Sequence, residues 1–227
     1  MFLVKLLRRF LFLILYHFYA RPKIAKTDIT ELLGFSLVVP PTVFHPSLYF
    51  SSKILGKYVH SLDLKGTAVL DIGCGSGILS LIASSKGASV TAIDINQAAV
   101  EATIENAKRN HLEHSIVAFQ GNLFEPVRDS EKYDYVFLNP PFYPKEAQNL
   151  LEMGWKSGEN YSLIKEFVYQ AFKYLKPQGK IIFILTSDVD IVKILKIFEA
   201  ERFTTRCVST KQNFFEKFFI YEALRIS

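Results

Sequence analysis

Val69-Leu70-Asp71-Ile72-Gly73-Cys74-Gly75-Ser76-Gly77 is the stretch on which the fold of this chain turns. A short apolar run with the character of a strand leads into three alternating glycines, and the residues after Gly77 read as a helix. Glycine accepts positive φ and lets a ligand approach the backbone closely beside a helix N-terminus. A dinucleotide fingerprint would need its third glycine at position 78, which is Ile78. The spacing here is G-x-G-x-G, led by Asp71 at the strand end.

Working outward, the same alternation recurs along the chain. Ala68–Ile72, Val90–Ile93, Ile116–Phe119, Tyr135–Leu138 and Lys180–Leu185 read as strands. Helices are expected after Gly77, over Gln97–Arg109, over Ser162–Leu175 and near Ile191–Glu199, with an earlier one over Ser47–Ser61. Strands alternating with helices of 10–15 residues predict a parallel sheet covered on both faces. Two last strand-like runs, Phe203–Ser209 and Phe218–Leu224, are joined by the polar Lys211–Asn213 and predict an antiparallel hairpin, bringing the expected sheet to seven strands. Asp94 ends the second strand, where a carboxylate can accept hydrogen bonds from both hydroxyls of a ribose.

Composition excludes several classes. Of 227 residues, 49% are apolar and 22% charged, which rules out a mainly disordered chain. The two cysteines, Cys74 and Cys207, cannot build a disulfide framework, and no Cys/His cluster points to a metal. The net charge of +5 lies in residues 1–30, where Lys5, Arg8, Arg9, Arg21, Lys23 and Lys26 face only Asp28. The rest of the chain is electrically balanced and carries no broad basic footprint for nucleic acid.

The glycine turn and Asp94, in register with strand–loop–helix–strand, resemble the class I methyltransferases that bind S-adenosylmethionine, over roughly residues 43–225. The resemblance implies an α/β, Rossmann-like fold. It implies that Gly73, Gly75 and Gly77 pass under the methionine and ribose portions of the cofactor, and that Asp71 meets the methionine amino group, directly or through water. Asp94 would take the ribose hydroxyls and Ile95 the adenine face. Asn122, with Leu123 beside it, stands where the family often places an acid on the adenine amino group; the Asn122 carbonyl can accept the same bond.

Asn139-Pro140-Pro141-Phe142 follows the fourth strand. An amide or exocyclic aromatic amine is a poor nucleophile because its lone pair is delocalised. Its two hydrogens can bond the Asn139 side-chain oxygen and the Pro140 carbonyl, drawing the nitrogen towards tetrahedral geometry. The prolines stiffen the turn, and Phe142 can stack on the planar group. The tetrad resembles that of the HemK-like, small-domain methyltransferase group, whose members act on release-factor glutamines or on adenine and guanine amines of RNA or DNA. Upstream, Val43-Phe44-His45-Pro46 looks like the segment that precedes the cofactor fold in the glutamine enzymes. Tyr49-Phe50 replaces their usual Asp-Thr pair, and Ser51 and Ser52 resemble the ribosomal RNA enzymes.

The expected function is therefore methyl transfer to an amide or amine nitrogen. A protein glutamine or small-molecule acceptor is favoured over ribosomal RNA or DNA. A second class, a cofactor-binding protein without catalysis, would leave the tetrad without purpose. The 18 residues from Tyr143 to Asn160 are the expected acceptor-facing loop, with Phe142, Tyr143, Lys145, Trp155, Glu159 and Asn160 as candidate contacts.

Residues 1–42 read as a basic, apolar helical arm and connector, and 43–227 as the methyltransferase domain. The arm's uninterrupted apolar run, Phe10–Tyr16, is too short to span a bilayer. It is expected either to pack on the domain or to lie in a membrane interface through residues 1–20. The matching location is the cytoplasm, with peripheral contact at the inner membrane surface under the second reading. Pro22 is expected to stop the arm's helix, and Val38-Val39-Pro40-Pro41 to form an extended connector.

Overall fold

The computed structural model describes residues 21–154, 156–214 and 216–226. Residues 1–20, and with them both readings of the arm, lie outside the described residues, as does Trp155.

In chain order the elements are α1 (Arg21–Ile24), β1 (Asp28–Leu32), β2 (Phe35–Val39), α2 (Phe50–Ser61), β3 (Ala68–Ile72), α3 (Ile78–Ser85), β4 (Ser89–Asp94), α4 (Gln97–Arg109), β5 (Ile116–Gln120), β6 (Tyr133–Leu138) and α5 (Leu150–Met153). They continue with a 3-10 turn (Glu159–Tyr161), α6 (Ser162–Tyr174), β7 (Leu175–Thr186), α7 (Ile191–Ala200), β8 (Phe203–Gln212) and β9 (Lys217–Arg225). Seven strands form one sheet in the order β5-β4-β3-β6-β7-β9-β8. The first five positions are parallel, while β9 runs antiparallel to both β7 and β8. The seven-stranded, mostly parallel sheet and its closing antiparallel hairpin are thus as the sequence predicts.

Alternating side chains on the central strands feed two cores. Leu70, Ile72, Val136, Leu138 and Phe183 face one way, under α6 and α7, and Phe183 stacks on Phe198 at 4.4 Å. Val69, Phe137, Ile182 and Ile184 face the other way, under α2 and α3. Strands apolar on both faces belong in a parallel sheet clad by helices.

Two expectations are corrected. Val38 and Val39, expected in an extended connector, are extended but close the second strand of a hairpin: β1 pairs antiparallel with β2 through a two-residue turn at Leu33 and Gly34, φ 53° and 88°. Both positive angles suit the right-handed twist of a tight hairpin. The side chains of Asn106 on α4 and of Asn110, which caps the helix C-terminus, act as its strand partner. Asn106 accepts from the Val38 N–H at 2.7 Å and donates to the Val38 carbonyl at 2.9 Å, and Asn110 does the same with Ser36 at 3.1 and 2.8 Å. Strands of five residues show too little alternation to be read alone, and only the helix behind them supplies the missing bonds.

The helix that Pro22 is expected to stop lies outside the described residues, and α1 covers Pro22 itself. A proline's own φ is helical and its ring clashes with the preceding turn, so the residues after it remain free to coil. The helix expected from Ser47 begins at Phe50, with Tyr49 extended at φ −119°, ψ 131°.

Candidate active site

The strand order reverses at β3, whose neighbours are β4 on one side and β6 on the other. At such a switch point the loops leave the carboxyl ends of adjacent strands in opposite directions and open a crevice. Ile72 and Leu138 are register partners, so the glycine turn and the Asn-Pro-Pro-Phe tetrad leave the sheet side by side. Gly73, Gly75, Asp94, Ile95, Asn122, Leu123 and all four tetrad residues line one cleft. So do Thr42, Val43, Phe44 and Pro46 from the segment before α2, and Leu163, Ile164 and Phe167 from α6.

Gly73, Gly75 and Gly77 all have positive φ, at 70°, 57° and 81°. Their roles differ. A Cβ on Gly73 would meet nothing within 4 Å, so the backbone there faces open space; a Cβ on Gly77 would lie 2.9 Å from Thr103 Oγ1 and Cγ2. Gly77 lies outside the cleft lining and lets α3 pack against α4. It supports the turn from behind, which corrects its expected place under the cofactor.

Asp94 is held by backbone. Its Oδ2 accepts the Gly75 N–H at 2.9 Å and its Oδ1 the Asn96 N–H at 2.9 Å. A carboxylate has about four acceptor sites, so lone pairs remain for donors in the cleft, as a vicinal diol requires. Burial pushes its pKa above the ordinary value, against backbone N–H bonds from Asn96, Gly75 and Ile95. Beside it Ile95 is 36% exposed, an apolar surface suited to a flat ring. Ser76 Oγ, also in the cleft lining, is buried and without a hydrogen-bond partner. Open backbone, a diol acceptor, an apolar plate and an unpartnered hydroxyl fit a nucleoside carrying a polar tail.

Asp71 is not among the cleft-lining residues, so of the two expected contacts with the methionine amino group, direct or through water, the direct one is not what the cleft offers. It shares the sheet face of Val69, under α3, and its Oδ2 accepts from Ser80 Oγ at 2.6 Å. Burial pushes its carboxyl up to about 6, with the Asp94 charge adding to the rise and Ser80 opposing it. The single-residue alternation of a strand decides this, since Ile72 points the other way. Cys74 is buried beside Thr103 Oγ1 at 3.4 Å, and burial holds its thiol well above the ordinary value, as befits a packed loop residue.

Asn139 carries the most specific geometry. Its Nδ2 donates to Ser51 Oγ at 3.3 Å and Ser52 Oγ at 3.2 Å, while Oδ1 is buried with no partner. An unpaired buried carbonyl costs free energy unless something donates to it. Pro140 and Phe142 stand beside it in the lining.

Of the described acceptor candidates, Phe142 lines the cleft, while Tyr143, Lys145, Glu159 and Asn160 are not in its lining. The Tyr143 carbonyl accepts the Lys145 and Ser157 N–H groups, each at 2.8 Å, closing the loop on itself. Lys145 and Glu159 are exposed, and Asn160, at φ 54°, accepts from Lys193 Nζ at 2.9 Å. Met153 and Gly154 line the cleft instead. Apolar residues on the far arm of a loop give no polar signal in sequence, whereas Leu163, Ile164 and Phe167 follow from the buried face of α6. Among the described residues that line the cleft, none is Lys or Arg.

Residues 35–216 match the family model described as the methyltransferase small domain. A protein named as an N5-glutamine methyltransferase from Methanocaldococcus jannaschii is 33% identical over 167 residues, 71% of this chain and 80% of its own length. A release factor glutamine methyltransferase from Fusobacterium nucleatum is 33% identical over 142 residues, 56% of this chain and 40% of its own, so the chain spans less than half of that relative. Among solved structures, the T. thermophilus 16S rRNA N2 G1207 methyltransferase in complex with AdoMet and guanosine superposes with a TM-score of 0.70 at 19% identity, over 88% of this chain and 50% of that one. The likeness in that last case is one of fold.

Proposed function

Because the chain belongs to the methyltransferase small-domain family, we propose that its cleft transfers a methyl group from S-adenosylmethionine to the side-chain amide nitrogen of a protein. When bound, S-adenosylmethionine supplies a methyl group made electrophilic by a sulfonium. The protein's part is placement. Asp94 takes the ribose diol, Gly73 and Gly75 let the tail pass close to the backbone, and Ile95 lies against the adenine.

On the acceptor side, the unpartnered Oδ1 of Asn139 is the observation that carries the reading. It takes one hydrogen of the incoming –NH₂, and the Pro140 carbonyl takes the other. Withdrawing both hydrogens from the amide plane weakens the conjugation that makes the nitrogen unreactive. Phe142 supplies a flat apolar surface for the planar group. Two fixed acceptors and a rigid turn meet the need for orientation without a strong base.

Residues 31–227 carry 21 Lys and Arg against 21 Asp and Glu, and that balance favours a protein amide over an RNA base. Nucleic-acid affinity rests chiefly on phosphate contacts from such side chains. The test incubates the purified protein with cell extract and methyl-labelled S-adenosylmethionine. Label is expected in protein, on an amide nitrogen, and is expected to disappear with Asn139→Ala while calorimetric cofactor affinity stays within about threefold. Label entering RNA would replace the acceptor assigned here, and an unchanged rate in Asn139→Ala would remove the tetrad from the mechanism.

A further inference from the structure

We propose that Ser51 and Ser52 are positioning residues that fix which end of the Asn139 amide faces the acceptor. The inference rests on the reading above and deepens it. Both serines lie in the first turn of α2, a helix whose inner face is otherwise apolar through Leu55 and Val59. They are 2% and 4% exposed. Hydroxyls buried on such a face need partners, and both find the same one. The Asn139 –NH₂ group has two hydrogens and two serine oxygens within 3.3 Å.

That pairing has a chemical consequence. An asparagine amide can rotate by half a turn about its last bond and exchange its oxygen for its nitrogen at little cost unless its neighbours distinguish the two ends. With both hydrogens committed to Ser51 and Ser52, the carbonyl is directed away from α2 and left buried and unpaired. The cleft therefore presents an acceptor and selects a substrate nitrogen that carries hydrogens. A carboxylate or an unprotonated ring nitrogen would set lone pair against lone pair. Ser52 also stands in the cleft lining, and the role assigned to both serines is to determine what Asn139 offers to the substrate. The arrangement also joins two parts of the chain 88 residues apart, so α2 and the tetrad are set relative to each other by these bonds.

The first arm of the test needs no acceptor. In full-length protein labelled with ¹⁵N-asparagine, the Asn139 side-chain resonances are identified by their loss in Asn139→Ala. Both hydrogens are expected to be protected from solvent exchange in the wild type, and to exchange at least about tenfold faster in S51A/S52A, the loss of two neutral hydrogen bonds. The single variants S51A and S52A are expected to fall between. Equal exchange in wild type and double variant, or an unprotected pair in the wild type, overturns the proposal.

The second arm measures transfer into whichever extract fraction takes the label. In S51A/S52A, kcat is expected to fall about tenfold or more, with the KM for S-adenosylmethionine and the melting temperature close to wild type. A fall in melting temperature alone with kcat retained would mark the pair as structural and overturn the positioning role. If no fraction takes label, the proposed function fails while the exchange measurement still decides the serines.

Discussion

Oδ2 of Asp94, at the end of one strand, accepts the backbone N–H of Gly75 at 2.9 Å, in the turn that ends the neighbouring strand. The carboxylate proposed to take the ribose diol thus also holds the glycine turn. Asp94→Ala removes a charged acceptor and frees the turn at once. Its affinity for S-adenosylmethionine in calorimetric titration is expected to drop at least about tenfold, the weight of one hydrogen bond to a charged group. Affinity within twofold of wild type would take Asp94 out of the site.

Gly73 and Gly77 share positive φ but should fail differently. Gly77→Ala forces a Cβ into Thr103, 2.9 Å away, in addition to the cost of a left-handed backbone. It is expected to lose about 3 kcal/mol of stability by urea unfolding. Gly73→Ala meets no atom, so it should lose about 1–2 kcal/mol and show its larger effect on cofactor affinity. Equal stability losses in the two variants would contradict this division.

Asp71 should give stability a distinct pH dependence. Its carboxyl is pushed from 3.8 in the unfolded chain to about 6 when buried. Folding thus favours the protonated form, and that contribution, fully present below the unfolded value, is lost as pH rises through about 6. The stability of wild type minus that of Asp71→Asn is expected to fall by about 2 kcal/mol between about pH 4 and pH 7. Urea unfolding of both proteins across that range checks it; a flat difference would place the carboxyl at its ordinary value.

Asn106 bonds the Val38 N–H, the Val38 carbonyl and the Ser76 carbonyl from one buried amide. Asn106→Ala strands all three and is expected to cost about 2–4 kcal/mol. Asn110→Ala, at the partly buried end of the hairpin, should cost about 1 kcal/mol. Because Ser76 belongs to the glycine turn, Asn106→Ala should also weaken cofactor binding, which a titration of the folded variant would show.

Lys145, Glu159 and Asn160 stand outside the cleft. Alanine at each is expected to leave the transfer rate within about twofold, as for other exposed positions. Met153→Ala opens the cleft wall and should change the KM for the acceptor. A tenfold loss at Lys145 would show that the acceptor extends over the loop's outer surface.

Local signals made much of this legible. Alternation of short apolar runs with helical periods predicts the parallel sheet, and all of its strands are present, because burial on both faces leaves a pattern that needs no partner to be seen. The glycine turn and the tetrad are visible for the same reason: φ and ring constraints belong to single residues. The β1–β2 hairpin was not legible, since its edge is satisfied by two asparagines of a helix some 70 residues away. Nor was the fate of the loop residues, whose polar side chains turn outward while Met153 and Gly154 form the wall.

The amino-acid sequence by itself determined the fold class, the residues of the cofactor turn and the tetrad, because each depends on backbone preferences and burial patterns a few residues long. Only the tertiary structure decided that Asp71 and Gly77 lie behind the site and that Asn139 presents its oxygen. The first follows from strand parity and the packing of α3 on α4. The second follows from two serines on a different helix, and hydrogen bonds across such a distance in sequence exist only once the sheet has set Ile72 beside Leu138.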